Sequence, residues 1–221
     1  MASYAKQIKA LLSPAEGRVF ERLGTPNKIQ NFLDSTPNHF SAPHKAILSP
    51  TQVLKQKKAH CFEGALLAAA ALAYHGHPPL LMDFQTAPWD EDHVVALFKG
   101  RGLWGAISKT NHPVLRWRDP IYRTPRELAM SYAHEYYMWH EGPRDGEKTL
   151  RAHSVPFNLR RYAPHKWLAA SDIDWLADEL DSSRHFPIAP AAMLKKLRKA
   201  SKIERQIMCM DEWNKQGKKL F

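Results

Sequence analysis

Phe62, Ala65, Leu66, Ala69, Leu72 and Ala73 recur at helical spacing, and Gly76 offers a stop after them. Alanines fill the other faces of this stretch, which predicts a helix packed on several sides. Helix starts are marked elsewhere along the chain. "SPAE" at Ser13 and "TPRE" at Thr124 read as capping boxes with proline at the first helical position. "SPTQ" at Ser49 reads the same way, and "TPN" at Thr25 carries part of the signal. Helices are predicted near 4–12, 14–23, 26–34 and 50–57, with a long one from Pro125 to Trp139. Segment 35–48, rich in Pro and Asn breaks, predicts irregular structure.

Three short apolar runs follow the alanine-rich helix: "LLMDF", "HVVALF" and "LWGAIS". The loop "QTAPWDED" and the turn "KGRG" between them predict neighbouring antiparallel strands. The C-terminal third predicts helices again, starting at Ser171 and Pro190. Helices, then antiparallel strands, then helices define an α+β class. The expected organisation is one domain over 1–160 with N-terminal helices, and a helical extension over 161–221 packed on it. Neither an internal repeat nor a low-complexity tract interrupts this order.

Composition narrows the picture. The 221 residues, 44% hydrophobic with seven tryptophans, can bury a core, which argues against general disorder. No apolar run reaches membrane-spanning length, and the N-terminus lacks the apolar stretch of a signal peptide. A cytoplasmic protein with no membrane partner is therefore expected. Its two cysteines, Cys61 and Cys209, make no disulfide framework and are expected as thiols. Cys209 falls beside an apolar stripe that includes Met193, Leu197, Ile203 and Ile207, which predicts helix packing.

The net charge is +10, and Pro190–Phe221 carries nine basic residues against three acidic ones. That surplus reads as a solvated helix face in preference to a nucleic-acid surface. No zinc-finger spacing, aromatic strand motif or phosphate-cradling glycine loop accompanies it.

The chemistry gathers at Cys61. A thiol in the first turn of a helix faces unpaired N–H groups and the positive end of the dipole. Both favour thiolate, and Lys57 and Lys58 could add to this. The same N–H groups could hold an oxyanion after attack on a carbonyl. The plainer reading is a buried cysteine acting as a small hydrophobe. A cysteine nucleophile needs a base, and His93 opens an apolar strand expected at the centre of the sheet. A zinc site from His60, Cys61, His93 and His112 matches no ligand spacing, and His134 and His140 sit six apart, off a common face. Neither a metal nor a cofactor is expected.

"HCFEGALLAAAAL", "PPLLMDF", "DHVVALF", "WGAISKTNH", "RDPIYRTPRELAMSY" and "KTLRAHSVPF" together resemble the transglutaminase-like branch of the papain-like cysteine enzymes, and in particular a bacterial family of that branch. The resemblance covers roughly Gly24 to Phe157. It implies a core in which a helix opening on cysteine packs on a small antiparallel sheet, flanked by added helices. It implies Cys61 as nucleophile and His93 as base. It also implies an orienting acid four residues after Trp104, where this chain has Ser108. Serine can accept a hydrogen bond from imidazole but brings no charge. Asn111, Asp119 and Asp83 are the substitutes, and Asp83 is favoured because a carboxylate both fixes the tautomer and stabilises imidazolium. Gln56, five residues before Cys61, and Asn38 are candidate oxyanion donors. Trp104 is a candidate shield for the imidazole or a core residue.

The expected function is a cysteine-dependent hydrolase or acyltransferase working through a thioester on a peptide, protein or small amide. The alternative is an inactive relative that binds a peptide or anionic partner, which the serine at the acid position favours. Nucleic-acid binding through the basic C-terminal segment ranks third.

Overall fold

The computed structural model describes residues 3–38, 46–139 and 142–206. Five helices come first: α1 (Tyr4–Leu11), α2 (Pro14–Arg22), α3 (Pro26–Ser35), α4 (Pro50–Gln56) and α5 (Cys61–Tyr74). Strands β1 (Leu80–Gln85), β2 (His93–Gly100), β3 (Leu103–Ile107) and β4 (Arg118–Tyr122) follow, then α6 (Pro125–Met130). After them come β5 (Ala152–Ser154), β6 (Phe157–Asn158), α7 (Asp174–Asp181), β7 (His185–Pro187), α8 (Ala191–Leu194) and α9 (Lys202–Arg205). Among the described residues no helix is long and apolar enough to cross a membrane.

The helix starts follow the capping chemistry. Ser13 and Glu16 close a full capping box, and Thr25 Oγ1 accepts from the Lys28 amide at 3.3 Å. Gln52 Oε1 accepts from the Ser49 amide at 2.8 Å. At Thr124 only the hydroxyl half forms: Glu127 instead accepts from the Arg123 amide at 2.7 Å.

α5 is buried from Phe62 to Tyr74, all round. Its alanines let β2 approach on one side and α1, α3 and α4 on others. The sheet runs β4-β3-β2-β1-β5-β7, with β6 also paired to β1, and every pairing is antiparallel. Strand alternation sorts the core into two layers. Leu81, Val94, Ala96 and Ile107 meet α5 and the N-terminal helices. Met82, Phe84, Val95, Leu97 and Ala106 face the other way, onto Leu128, Ala129 and Tyr132. The molecule is thus a mixed α+β fold with an antiparallel sheet between two helical layers.

Two expectations need correction. The helix from Pro125 stops at Met130, not at Trp139. The following tyrosines have separate tertiary partners: Tyr132 Oη donates to the Arg116 carbonyl at 3.2 Å, and Tyr136 Oη to the Glu91 carbonyl at 2.6 Å. The backbone at Tyr136 and Met138 pairs with Thr149 and Glu147, which a continuing helix would forbid. The C-terminal third is not simply helical either. It holds α7, then β7 on the edge of the sheet beside β5, then only four-residue helices at α8 and α9. Cys209, and the packing expected for it, lies outside the described residues.

Gly64 positions what comes next. A Cβ there would fall 2.4 Å from Lys109 Cβ, so only glycine lets the chain leaving β3 cross the first turn of α5.

Candidate active site

Cys61 is the first residue of α5, and His60 is its N-cap. His60 Nδ1 accepts from the Phe62 amide at 3.2 Å. Glu63, fully buried, accepts from the His60 amide at 2.9 Å and from the Leu48 amide at 2.8 Å. A carboxylate in the first turn suits the helix dipole and ties the segment before α4 to the start of α5. The sequence reading missed this pair, although histidine followed three residues later by glutamate was a legible capping signal.

The Cys61 thiol is not activated at rest. Burial pushes it up to about 11, against the opposing bonds from the Val94 and Phe62 amides, and Glu91 and Asp83 push the same way as burial. Lys57, exposed and left-handed at the end of α4, is not among the causes. The expected thiolate at a helix N-terminus therefore gives way to desolvation.

His93 is buried at the start of β2, between the Phe84 ring at 6.4 Å and the Tyr136 ring at 6.5 Å. Burial, helped by His112 and Arg118, pulls its imidazole down to about 3. It is neutral at every physiological pH. Its Nε2 lies 2.7 Å from Ser108 Oγ. Ser108 is itself clamped. Gln30 on α3 accepts from the Ser108 amide at 3.0 Å and donates to its carbonyl at 2.9 Å. Gln30 also donates to Asp34, which pairs with Arg116 at 2.6 Å. No sequence signal pointed to Gln30, because its two bonds span 78 residues of chain.

Asp83, the favoured orienter, does not face His93. Asp83 stands opposite Val94 and Phe84 opposite His93, so alternation sends the two side chains to opposite faces of the sheet. Asp83 Oδ2 instead lies 2.9 Å from His185 Nε2 on β7, and its amide donates to Ser154 Oγ at 2.9 Å. Burial raises the Asp83 carboxyl to about 6, opposed by the His185 bond and helped by Asp92 and Asp181. Oxygens of Asp83, Asp92 and Asp181 lie within 4.8 Å of one another, a grouping that could hold a cation, although two of the three are exposed.

The remaining candidates divide. Asn38 forms a parallel bridge to Ala59, and with Asn111 it lines the cleft over Cys61 and His93. Gln56 is exposed at the end of α4 and lines no part of that cleft. Trp104 lies along β3 opposite Lys99, whose Nζ sits 4.3 Å over its ring, toward the far end of β2 from His93. It shields no imidazole. Asp119 is exposed and accepts from Trp117 Nε1 at 2.9 Å. Of the zinc candidates, His60, Cys61, His93 and His112 all line the cleft, whereas His140 lies outside the described residues.

The cleft has a volume of about 670 Å³. Cys61, His93 and His60 line it. Trp89, Tyr136, Tyr137 and Trp139 supply aromatic walls, and Asp90, Glu91, Asp92 and Glu135 supply carboxylates.

No protein-family model matches the chain, and no curated protein sequence does. Among solved structures, Legionella pneumophila LapG in an EGTA-treated form is similar over 90% of this chain and 99% of its own, with a TM-score of 0.36 and 12% identity. A likeness this distant says nothing about chemistry.

Proposed function

We propose that the protein is a cysteine-nucleophile amide or peptide hydrolase of transglutaminase-like type, acting through a thioester. The observation that carries this reading is one cleft holding the Cys61 thiol, with the Val94 amide bonded to its sulfur, and the His93–Ser108 pair at 2.7 Å.

The two ionisation states suit a proton transfer that accompanies attack. With the thiol near 11 and the imidazole near 3, the resting pair is neutral. The proton leaves sulfur only as the sulfur attacks a carbonyl carbon, and His93 receives it as general base. The carbonyl π electrons move to oxygen, where Asn38 and first-turn amides of α5 are the candidate donors. Collapse expels the amine, which takes the proton from His93 and leaves a thioester on Cys61. Water, deprotonated by His93, then releases the acid. An amine in place of water would make the same site an acyltransferase. Ser108 orients the imidazole in this scheme, and Gln30 holds Ser108. The pairing of β7 with β5 supports reading residues 161–206 as part of the same unit.

A second reading has its own observation. Serine at the orienting position leaves an imidazolium with no countercharge, as an inactive binding module would tolerate. Incubation with a peptide digest and hydroxylamine separates the two. Active protein yields peptide hydroxamates and a Cys61 acyl adduct in the intact mass, and Cys61→Ala yields neither. Wild-type protein that forms no adduct and no hydroxamate refutes the enzyme reading.

A further inference from the structure

The cleft's charge runs against that of the chain. The chain carries +10, yet the residues from Asp90 to Asp92 place three consecutive carboxylates along the cleft beside Cys61. Their bonds are to hydroxyls and amides. Asp90 accepts from the Thr149 hydroxyl and from the Glu91 amide at 2.9 Å. Asp92 accepts from the Thr86 amide at 2.7 Å and from its hydroxyl at 2.9 Å. These bonds fix the loop and leave its charge in place. Glu91 is exposed, and its backbone is held on both sides, the amide by Asp90 at 2.9 Å and the carbonyl by the Tyr136 hydroxyl at 2.6 Å. The fourth carboxylate, Glu135, is already paired with Arg118.

The walls suit a cation as well. Tyr136, Tyr137, Trp89 and Trp139 line the same space. The chain's own Arg144 lies against the Trp89 ring at 3.6 Å, so a guanidinium already stacks on this rim. Buried Lys109 also lines the cleft, but the carboxylates outnumber it, and a cleft whose lining charge is mainly of one sign raises the local concentration of ligands of the other sign.

From this juxtaposition we infer that the cleft selects a peptide with a lysine or arginine side chain next to the carbonyl that Cys61 attacks, with Glu91 as its main contact. The inference rests on the functional reading above. It adds the class of substrate, and it explains why a basic protein keeps an acidic, aromatic cleft around its thiol.

The test uses the full chain with Cys209→Ser, so that Cys61 is the single thiol. Three dipeptidyl acyloxymethyl ketones, Ala-Arg, Ala-Gln and Ala-Glu, are compared by the rate at which they add to Cys61 in the intact mass. Iodoacetamide, small and neutral, serves as the reference. At low salt the Arg probe reacts at least about tenfold faster than the Glu probe, with Gln between them. Raising the salt narrows the gap, and Glu91→Lys removes or inverts it while iodoacetamide still labels Cys61. Equal rates for the three probes, or a faster Glu probe, with normal iodoacetamide labelling, overturn this inference and leave the functional reading standing. Failure of iodoacetamide to reach Cys61 at any pH up to 9 removes both.

Discussion

Replacing Ser108 with aspartate should awaken the thiol. His93 is lowered from an ordinary 6.5 to about 3, which sets the cost of its imidazolium at about 5 kcal/mol, using about 1.4 kcal/mol per unit. The hydroxyl now 2.7 Å from Nε2 can offset little of that, because it brings no charge. A carboxylate at the same place, with charges about 4 Å apart and an effective dielectric near 20, contributes about 4 kcal/mol. That would return His93 to the neighbourhood of 6. The population of the thiolate–imidazolium pair would rise by up to about a thousandfold. Burial of the new carboxylate and its repulsion of thiolate take back part of the gain, so the expected acceleration is between about tenfold and a hundredfold. The assay is iodoacetamide alkylation followed by intact mass between pH 5 and 9, in a Cys209→Ser background. Ser108→Asn is the control, since it keeps the hydrogen bond and adds no charge. If Ser108→Asp retains its circular dichroism yet alkylates no faster than Ser108→Asn, then Ser108 does not govern His93 and the reasoning fails.

Other consequences follow from the same contacts. Asp83 has its carboxyl raised to about 6 in the fold against an ordinary 3.8, so its contribution is present below about 4 and is lost as the pH rises through 6. Asp83→Asn should therefore gain on the wild type in thermal melts between pH 4 and pH 7, by up to about 3 kcal/mol, and a gap that moves the other way would contradict the burial argument. Gln30→Leu strips both backbone groups of Ser108 of their partners and should cost about 2 to 4 kcal/mol in urea unfolding, with a fall in Cys61 reactivity that Gln30→Glu partly restores. In the basic C-terminal segment, Arg198 pairs with Glu204 at 2.8 Å, Lys199 lies 3.5 Å from Glu147, and Arg205 pairs with Asp145. Binding of fluorescent DNA or RNA oligomers should accordingly vanish at moderate salt, and retention near physiological salt would return nucleic acid to consideration.

How much of this was legible in the sequence depended on the range of the forces involved. Helix starts at Ser13, Thr25 and Ser49 were legible because each cap is settled within three residues. The strands at β1, β2 and β3 were legible because short connections leave antiparallel neighbours as the economical pairing. Strands β5, β6 and β7 run two or three residues each, below the length at which alternation can be seen. β5 and β6 exist because the open side of β1 presents unpaired backbone groups that distant segments satisfy, and β7 in turn pairs with β5. The helix after Pro125 was overextended for a related reason. Nothing in "SYAHEYYMW" forbids a helix, and the residues that end it are supplied by Arg116, Glu91 and Glu147, elsewhere in the chain.

The choice between Asp83 and Ser108 was legible in principle, and the reason lies in parity. Asp83 sits on one strand beside the one that His93 begins, Ser108 lies just past the end of the strand on the other side, and chemistry alone prefers the carboxylate. Register decides otherwise. Leu80 pairs with Leu97 and Phe84 with His93, so odd-numbered residues of β1 share a face with even-numbered residues of β2. Asp83 therefore looks toward α5 with Val94, while His93 looks away with Val95 and Leu97. On the other side Ala96 pairs with Ile107, and carrying that register one step places Ser108 opposite Val95, on the His93 face. A hydroxyl on the right face makes the bond that a carboxylate on the wrong face cannot. The aspartate meets His185 from β7 instead, a strand whose pairing no local pattern announced. The sheet's register thus decides which residue His93 meets, and burial, with no charge from Ser108 to oppose it, holds the imidazole neutral.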